Sequence, residues 1–470
     1  MKRYEALAQE IEDSIRKGVL RSGDRLPSVR SAGASRGVSA STVFQAYYLL
    51  EARGIIRARE RSGYFVSSGA RQPSLPVDSP SKPSSIPVSL DVCSRIFAIL
   101  ESTKSRNVVP FGSAFPSPLL FPLARLGQSM ARSAKSFDPW STVDYLTPGS
   151  PELRRQIALR YLADGMQVHM DEIIVTNGAL EALNLCLSAV TLPGDSVIVE
   201  CPTFYGALQA LELRGLKVVQ VPTCSKNGMD ISTLEKTIEL HRPAACWMMS
   251  NFQNPLGALM PEIKKRALVE MLARHGVPLI EDDVYAELYF GDKRPLPAKA
   301  FDTAGMVLHC SSFSKCLAPG YRIGWASPGK FARQVAQNKL VTTLTTSAPG
   351  QGGLANYLQM GGYDKHLRKL RQTLSDQQKI FGDAVGHYFP AGTHAVRPQG
   401  GYFLWVEMPT GTDAMKVHAM ALAKDISVAP GPIFSPTHAF KNCLRLNFGH
   451  TWNERSERAL ASLGKIVSEC

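Results

Sequence analysis

Apolar residues recur at Leu7, Ile11 and Ile15 in an otherwise polar stretch, a spacing of four that predicts a helix over residues 4–17. GDRLPSVRS follows, with Ser28 placed to cap a second helix. GVSASTVFQAYYLLEARG then reads as a tight turn at Gly37 and a third helix ending at Gly54, with Val43, Ala46, Tyr47 and Leu50 along one buried face. IIRARERSGYFVSS alternates about a Ser-Gly turn at 62–63, as two short antiparallel strands do. Residues 71–88, RQPSLPVDSPSKPSSIPV, break every periodicity. Proline fixes φ and removes backbone donors, so this stretch is expected to be a semi-extended linker. Beyond it, the apolar runs DEIIVT, DSVIVE, KVVQV, ACWMMS, VPLIEDD and MVLHCSS each suit a strand, and amphipathic segments such as PELRRQIALRYLADG lie between them. That alternation predicts a parallel sheet covered by helices.

Composition narrows the picture. The chain has 470 residues, 44% of them hydrophobic, which is ample for real cores. No run of about 18 apolar residues occurs, so no membrane span is expected. MKRYEALAQEIEDS lacks the apolar core of a secretory signal. The nine cysteines are scattered, with no Cys-x-x-Cys pair, which points to a reducing cytoplasm and gives no case for a metal site. Net charge is +13, and residues 1–71 alone hold 13 Lys/Arg against 7 Asp/Glu, so the short first block is the one suited to a polyanion. The basic stretch 365–379, KHLRKLRQTLSDQQK, is expected to be a solvated helix face.

Three helices and a strand pair in that basic block suggest a DNA reader. Ser39, Ser41 and Thr42 are polar and early in the third helix, where a recognition helix meets a groove, and Arg57 stands on the first wing strand, placed for phosphates. GDRLPSVR, GVSASTVFQAYYLLEARG and SGYFV, in this order, resemble the GntR-type winged helix–turn–helix. The resemblance carries DNA contact to Arg30, Ser39, Ser41, Thr42 and the wing turn at Gly63. It departs at Ala40, where an arginine is common, so a guanine-reading fork worth about 1–3 kcal/mol is lost.

The second block centres on SSFSKCLAPGYRIG. Lys315 sits among small residues that leave room for a flat cofactor, and Arg322 follows seven positions on, where it suits a phosphate. VPLIEDDVYAEL delivers Asp282 and Tyr285 at the carboxyl end of an apolar run, where α/β sheets bind ligands. NFQNPLG offers Asn254, TNGALEALNL offers backbone N–H groups from Gly178, Ala179 and Leu180, CPTFYG offers Phe204, and LRLNFG offers Arg445. Taken one at a time these are an ordinary turn, a cap and core residues. In this order they resemble the fold-type I aminotransferases over residues 90–470. That resemblance implies pyridoxal 5'-phosphate (PLP) as cofactor, Lys315 as the catalytic Schiff-base lysine, Asp282 on the pyridine nitrogen, Asn254 and Tyr285 on the ring hydroxyl, and Phe204 stacked on the ring. It further implies Ser312 and Arg322 on the phosphate, Arg445 on an amino-acid carboxylate, and Tyr145, from YLTPGSPELR, reaching the phosphate of the other subunit of a homodimer.

The fused order resembles the MocR family of bacterial transcription regulators, within it the YdcR-like branch. The expected architecture is an N-terminal winged helix–turn–helix (1–68), a Pro/Ser linker (69–89) and an α/β fold-type I PLP-dependent transferase domain (90–470), with a large mostly parallel sheet domain and a smaller C-terminal α/β subdomain. The resemblance implies a cytoplasmic, PLP-dependent regulator that binds a double-stranded DNA operator and senses PLP, an amino acid or an amine at Lys315, without sustained turnover. The alternatives are an active aminotransferase with an accessory DNA-binding domain, a winged helix repurposed for protein contact, and a PLP-free scaffold.

Overall fold

The computed structural model describes residues 3–16, 20, 24–52, 55–59, 63–66, 83, 86–88, 90, 92–102, 106–136 and 138–470. Two compact units emerge, Met1–Gln72 and Pro73–Cys470. Most of the expected linker, the expected helix end at Gly54 and Ser62 of the wing turn lie outside the described residues.

In the first unit the helices are Arg3–Arg16, Val29–Arg36 and Ala40–Ala52, followed by the hairpin Ile56–Arg59/Gly63–Val66 with Ile56 opposite Val66. The helical stripe explains the packing: Leu7, Ala8 and Ile11 meet Val43, Ala46, Tyr47 and Leu50, with Leu26, Ile56 and Val66 closing one core. Two local details fix the turns. Ser28 Oγ accepts from the Ser31 backbone N–H at 3.1 Å, a cap worth about 1 kcal/mol. Gly37 ends the second helix at φ 63°, a left-handed conformation that costs glycine nothing. The Tyr47 hydroxyl, carried into the core, donates to the Pro27 carbonyl at 2.8 Å.

The second unit is built on an eight-stranded sheet. In spatial order its strands are Ile174–Thr176, Gly324–Ser327, Val307–Ser312, Leu279–Asp282, Ala245–Met248, Ser196–Cys201, Lys217–Cys224 and Gly228–Met229. All six apolar runs in the sequence form strands. The sheet is mixed rather than purely parallel, because Gly324–Ser327 pairs antiparallel with both its neighbours and Gly228–Met229 pairs antiparallel at the far edge. The five central strands are parallel, so their carboxyl ends share one rim. Loops leaving that rim therefore converge, which is where a ligand site forms in such sheets.

A smaller antiparallel sheet, His394–Ala395, Phe403–Glu407, Cys443–Asn447 and Ala429–Pro430, makes the C-terminal subdomain. The 27-residue helix Gly362–Tyr388 buries Leu367, Leu370 and Leu374 and leaves Lys365, Arg368 and Lys369 in water, the solvated basic face expected of this segment. Among the described residues, no helix is long and apolar enough to cross a membrane.

Candidate functional site

Lys315 leaves the strand Val307–Ser312 by a short turn, and that turn is pinned from behind. His366 Nε2 lies 2.7 Å from the Cys316 carbonyl, and the Cys316 thiol, buried, lies 3.0 Å from the Tyr363 hydroxyl. The lysine is thereby aimed at the rim. Its Nζ donates to the Ala114 carbonyl at 2.9 Å and stands 3.9 Å from the centre of the Phe115 ring. Burial pulls its pKa down to about 7, the neighbouring Asp282 pulls the other way, and Arg445 and Arg322 reinforce the lowering.

Asp282 closes the adjacent strand, Leu279–Asp282, opposite Cys310. Its carboxyl is buried, which pushes its pKa up to about 7 against the pull of Lys315. Oδ1 of this carboxyl is buried with no hydrogen-bond partner. A buried acceptor left unmet costs about 1–3 kcal/mol, so this oxygen is poised for a ligand donor. Next to it, Asp283 behaves differently. His309 at 3.1 Å, Asn251 at 2.9 Å and Arg294 at 3.4 Å surround it, and its pKa falls although burial opposes the fall. Of the two adjacent carboxylates, one is a satisfied structural anion and the other is not.

Tyr285 is buried, its ring 5.5 Å from that of Tyr402 and nearly perpendicular to it; burial raises its pKa above the usual phenol range. Asn254 Oδ1 accepts from Arg445 Nη1 at 3.2 Å, which leaves the Nδ2 hydrogens as this side chain's donors. Phe204 precedes the helix Tyr205–Leu213 and lies 4.9 Å, ring to ring, from Tyr205. A Cβ at Gly206 would come 2.5 Å from the Phe204 ring, so that glycine sets where the ring lies.

The phosphate-type corner is made by backbone geometry. Gly178 adopts φ 85° at the start of the helix Ala179–Val190, and any Cβ there would overlap the Arg322 guanidinium. Arg322 donates to the Asn177 carbonyl at 3.0 Å and to Ser314 Oγ at 3.4 Å. No side chain caps the helix start, so its first N–H groups face the corner with the positive end of the helix dipole. One expectation needs correcting. The Gly178 N–H donates to the Thr176 carbonyl at 2.9 Å, so Gly178 contributes conformation, and the helix-start donors begin at Ala179 and Leu180. Ser312 is buried beside them, accepting from the Ser314 N–H at 3.3 Å.

Arg445, in the strand Cys443–Asn447, is fully buried, with its guanidinium 4.2 Å from the centre of Phe403. The sequence marks it as a carboxylate partner. In the structure its Nη2 donates to the Gly112 carbonyl at 2.7 Å and to Ser113 at 3.2 Å, while Nε has no partner. Residues 112–115 thus cross the site as a strap: its carbonyls meet Arg445 and Lys315, and Tyr402 and Asn447 hold it at 3.1 Å and 2.9 Å. Sequence reasoning missed Ala114, Phe115 and Tyr402. An aromatic in the Ser/Pro-rich stretch SAFPSP is the one signal that offered itself. Tyr145 stands apart from these contacts, its hydroxyl donating to Glu152 at 3.0 Å.

In the first unit Arg30 and Arg57 are exposed, on the second helix and the wing. Gly63 has φ 95°, with Arg25 Nε 3.5 Å from where its Cβ would stand, so Arg25 joins the wing as a basic residue the sequence reading overlooked. Ser39, Ser41 and Thr42 are brought together, but their hydroxyls bond one another at 2.9 Å, and Ser39 also caps the helix by accepting from the Thr42 N–H at 3.2 Å.

Comparisons with known proteins divide the chain in the same way. Residues 130–463 match the model of aminotransferase class I and II, and residues 3–66 match that of bacterial regulatory proteins, gntR family. The uncharacterized HTH-type transcriptional regulator YdcR of Escherichia coli (strain K12) is 47% identical, covering 100% of each chain. YjiR of the same strain, also an uncharacterized HTH-type transcriptional regulator, is 35% identical over 99% of each. Among solved structures, LysN, the α-aminoadipate aminotransferase of Thermus thermophilus complexed with N-(5'-phosphopyridoxyl)-L-leucine, matches with a TM-score of 0.72 and 28% identity, covering 80% of this chain and 94% of that one.

Proposed function

The chain belongs to the aminotransferase class I and II family and carries a gntR-family reader ahead of it, and on that premise we propose a PLP-dependent regulator whose occupancy at Lys315 alters DNA binding. It is a DNA-binding transcription regulator with a fold-type I aminotransferase-like domain. The observation that carries the cofactor reading is the buried, partnerless Oδ1 of Asp282 beside a lysine whose pKa burial has brought to about 7. The glycine cradle at Gly178, closed to any Cβ by Arg322, supports it at the phosphate corner.

PLP, when bound, supplies an aldehyde that condenses with amines and a ring that draws electrons from the attached carbon. Lys315 presents an amine that sheds its proton near neutrality. Asp282, as a carboxylate, would hold a proton at the ring nitrogen through its unpartnered Oδ1. Asn254 Nδ2 and the Tyr285 hydroxyl would donate to the ring oxygen, and Phe204 would cover one face. Ala179, Leu180, Ser312 and Arg322 would take the phosphate, helped by Tyr145 from the partner of a homodimer. Arg445 would take the carboxylate of an amino-acid effector once the carbonyls of Gly112 and Ser113 move aside; an effector without a carboxylate leaves them in place. Those two outcomes give the strap two positions. A ligand with different affinity for each shifts their balance, and coupling to the reader requires that difference. The protein acts in the cytoplasm, where its operator is.

A second reading is an active aminotransferase with an accessory reader, favoured by the gathering of Lys315, Asp282, Tyr285 and Asn254 around one rim. Sustained conversion of an amino acid with 2-oxoglutarate at ordinary enzyme rates would promote it. The regulatory reading is tested by footprinting the DNA upstream of this gene with and without PLP and amino acids. A protected site that changes with ligand supports it, and a site indifferent to both refutes it.

A further inference from the structure

The third helix of the reader, Ala40–Ala52, buries Val43, Ala46, Tyr47 and Leu50. Its outward stripe is therefore Ala40, Ser41, Phe44, Gln45 and Tyr48, all exposed. Two members are unusual for a water-facing surface: Phe44 is 54% exposed and Tyr48 is 66% exposed, one turn apart. The helix carries no lysine or arginine at any position. The hydroxyls of Ser39, Ser41 and Thr42 already satisfy one another. A guanine fork is thus impossible from this helix, and the polar cluster at its start is committed to capping. What remains in its middle is one apolar ring and one amide, side by side.

From this we infer that Phe44 and Gln45 are the base-reading pair, and that they select A·T steps in the major groove. Phe44 would pack on a thymine methyl, while Gln45 would meet the N6–H and N7 of an adenine. The inference rests on the DNA-binding reading above and deepens it. Charge argues for this occupant over a protein: Arg25, before the second helix, Arg30, on it, and Arg57, on the wing, are all exposed, so this small unit offers cations suited to phosphates while the apolar stripe carries none itself. Tyr48, one turn further on, would lie along the backbone with its hydroxyl toward a phosphate.

The test uses the full-length protein and a duplex library randomised over two half-sites. Selected sites are remade with single thymines replaced by deoxyuracil, which removes only the methyl group, or single adenines replaced by 7-deazaadenine, and affinities are read by fluorescence anisotropy. We expect one critical uracil per half-site to weaken binding about three- to five-fold, the scale of one buried methyl group. Phe44→Ala should bind thymine and uracil duplexes alike, and Gln45→Ala should lose its sensitivity to 7-deazaadenine. Phe44→Arg should redirect selection toward guanine. Wild-type helix content by far-UV circular dichroism of the isolated residues 1–72, which form their own compact unit, together with an unaltered melting temperature of the full chain, reports that each variant is folded. A selected site indifferent to uracil at every position overturns this inference and leaves DNA binding standing. Loss of self-association in Phe44→Ala with unaltered DNA affinity overturns it in favour of protein docking. Failure of the wild-type protein to enrich any sequence overturns it together with the DNA-binding reading.

Discussion

The pH dependence of cofactor capture at Lys315 offers a demanding check on the site. An ordinary lysine titrates near 10.4, so at pH 7 roughly one amine in 2,500 is neutral. Burial brings Lys315 to about 7, so about half of it is neutral at that pH. The rate of capture should therefore climb about ten-fold per pH unit below 7 and flatten above pH 8. Two variants move the midpoint in opposite directions. Asp282→Asn removes the charge that favours the protonated amine and should lower it, whereas Arg445→Met removes a cation that opposes protonation and should raise it. Stopped-flow absorbance after mixing cofactor-free protein with PLP from pH 5.5 to 10, each point closed by borohydride trapping and peptide mapping, gives the curve. A midpoint near 10, or both variants shifting it the same way, would refute the electrostatic account.

Other outcomes follow from the same geometry. Gly178→Ala forces φ 85° on a residue with a Cβ and drives it into Arg322; it should cost about 1–3 kcal/mol of stability and sharply weaken PLP binding, read by thermal melts and titration. Arg445→Met should abolish spectral changes caused by amino acids in the loaded protein and spare those caused by amines lacking a carboxylate. In cofactor-free protein, Asp282 has a raised pKa, so the folded state holds the extra proton and its share of stability is lost as pH rises from about 4 to 7. Lys315 has a lowered one, so its share is regained as pH rises from 7 toward 10.5. Both push stability to a minimum near neutrality, and Asp282→Asn should raise the urea midpoint at pH 7, by roughly 1–3 kcal/mol in free energy. Lys315→Ala should leave the fold intact and lose the borohydride-trappable adduct.

The rim of the main sheet was legible because VPLIEDD and MVLHCSS end apolar runs in polar groups, and polar side chains at the carboxyl end of a buried strand mark where a ligand is met. The strand Gly324–Ser327 was not, since GWAS has neither alternation nor an apolar run; it is held by pairing on both sides. The strap was invisible for a different reason. Its contacts with Lys315 and Arg445 are made by backbone carbonyls, which every residue has, so no side-chain pattern announces them. In the reader, spacing found the helix and its buried face, whereas the spending of three hydroxyls on each other depends on rotamers that no spacing encodes.

The central claim is that chemistry at Lys315 is felt at the DNA. It is tested most directly by measuring the affinity of the full-length protein for its footprinted site in three states: cofactor-free, PLP-loaded, and PLP-loaded with an amino acid that alters the absorbance. The account predicts that at least one step changes the dissociation constant several-fold and that Lys315→Ala shows no such change. Equal affinities in all three states, with loading verified by borohydride trapping, would contradict it.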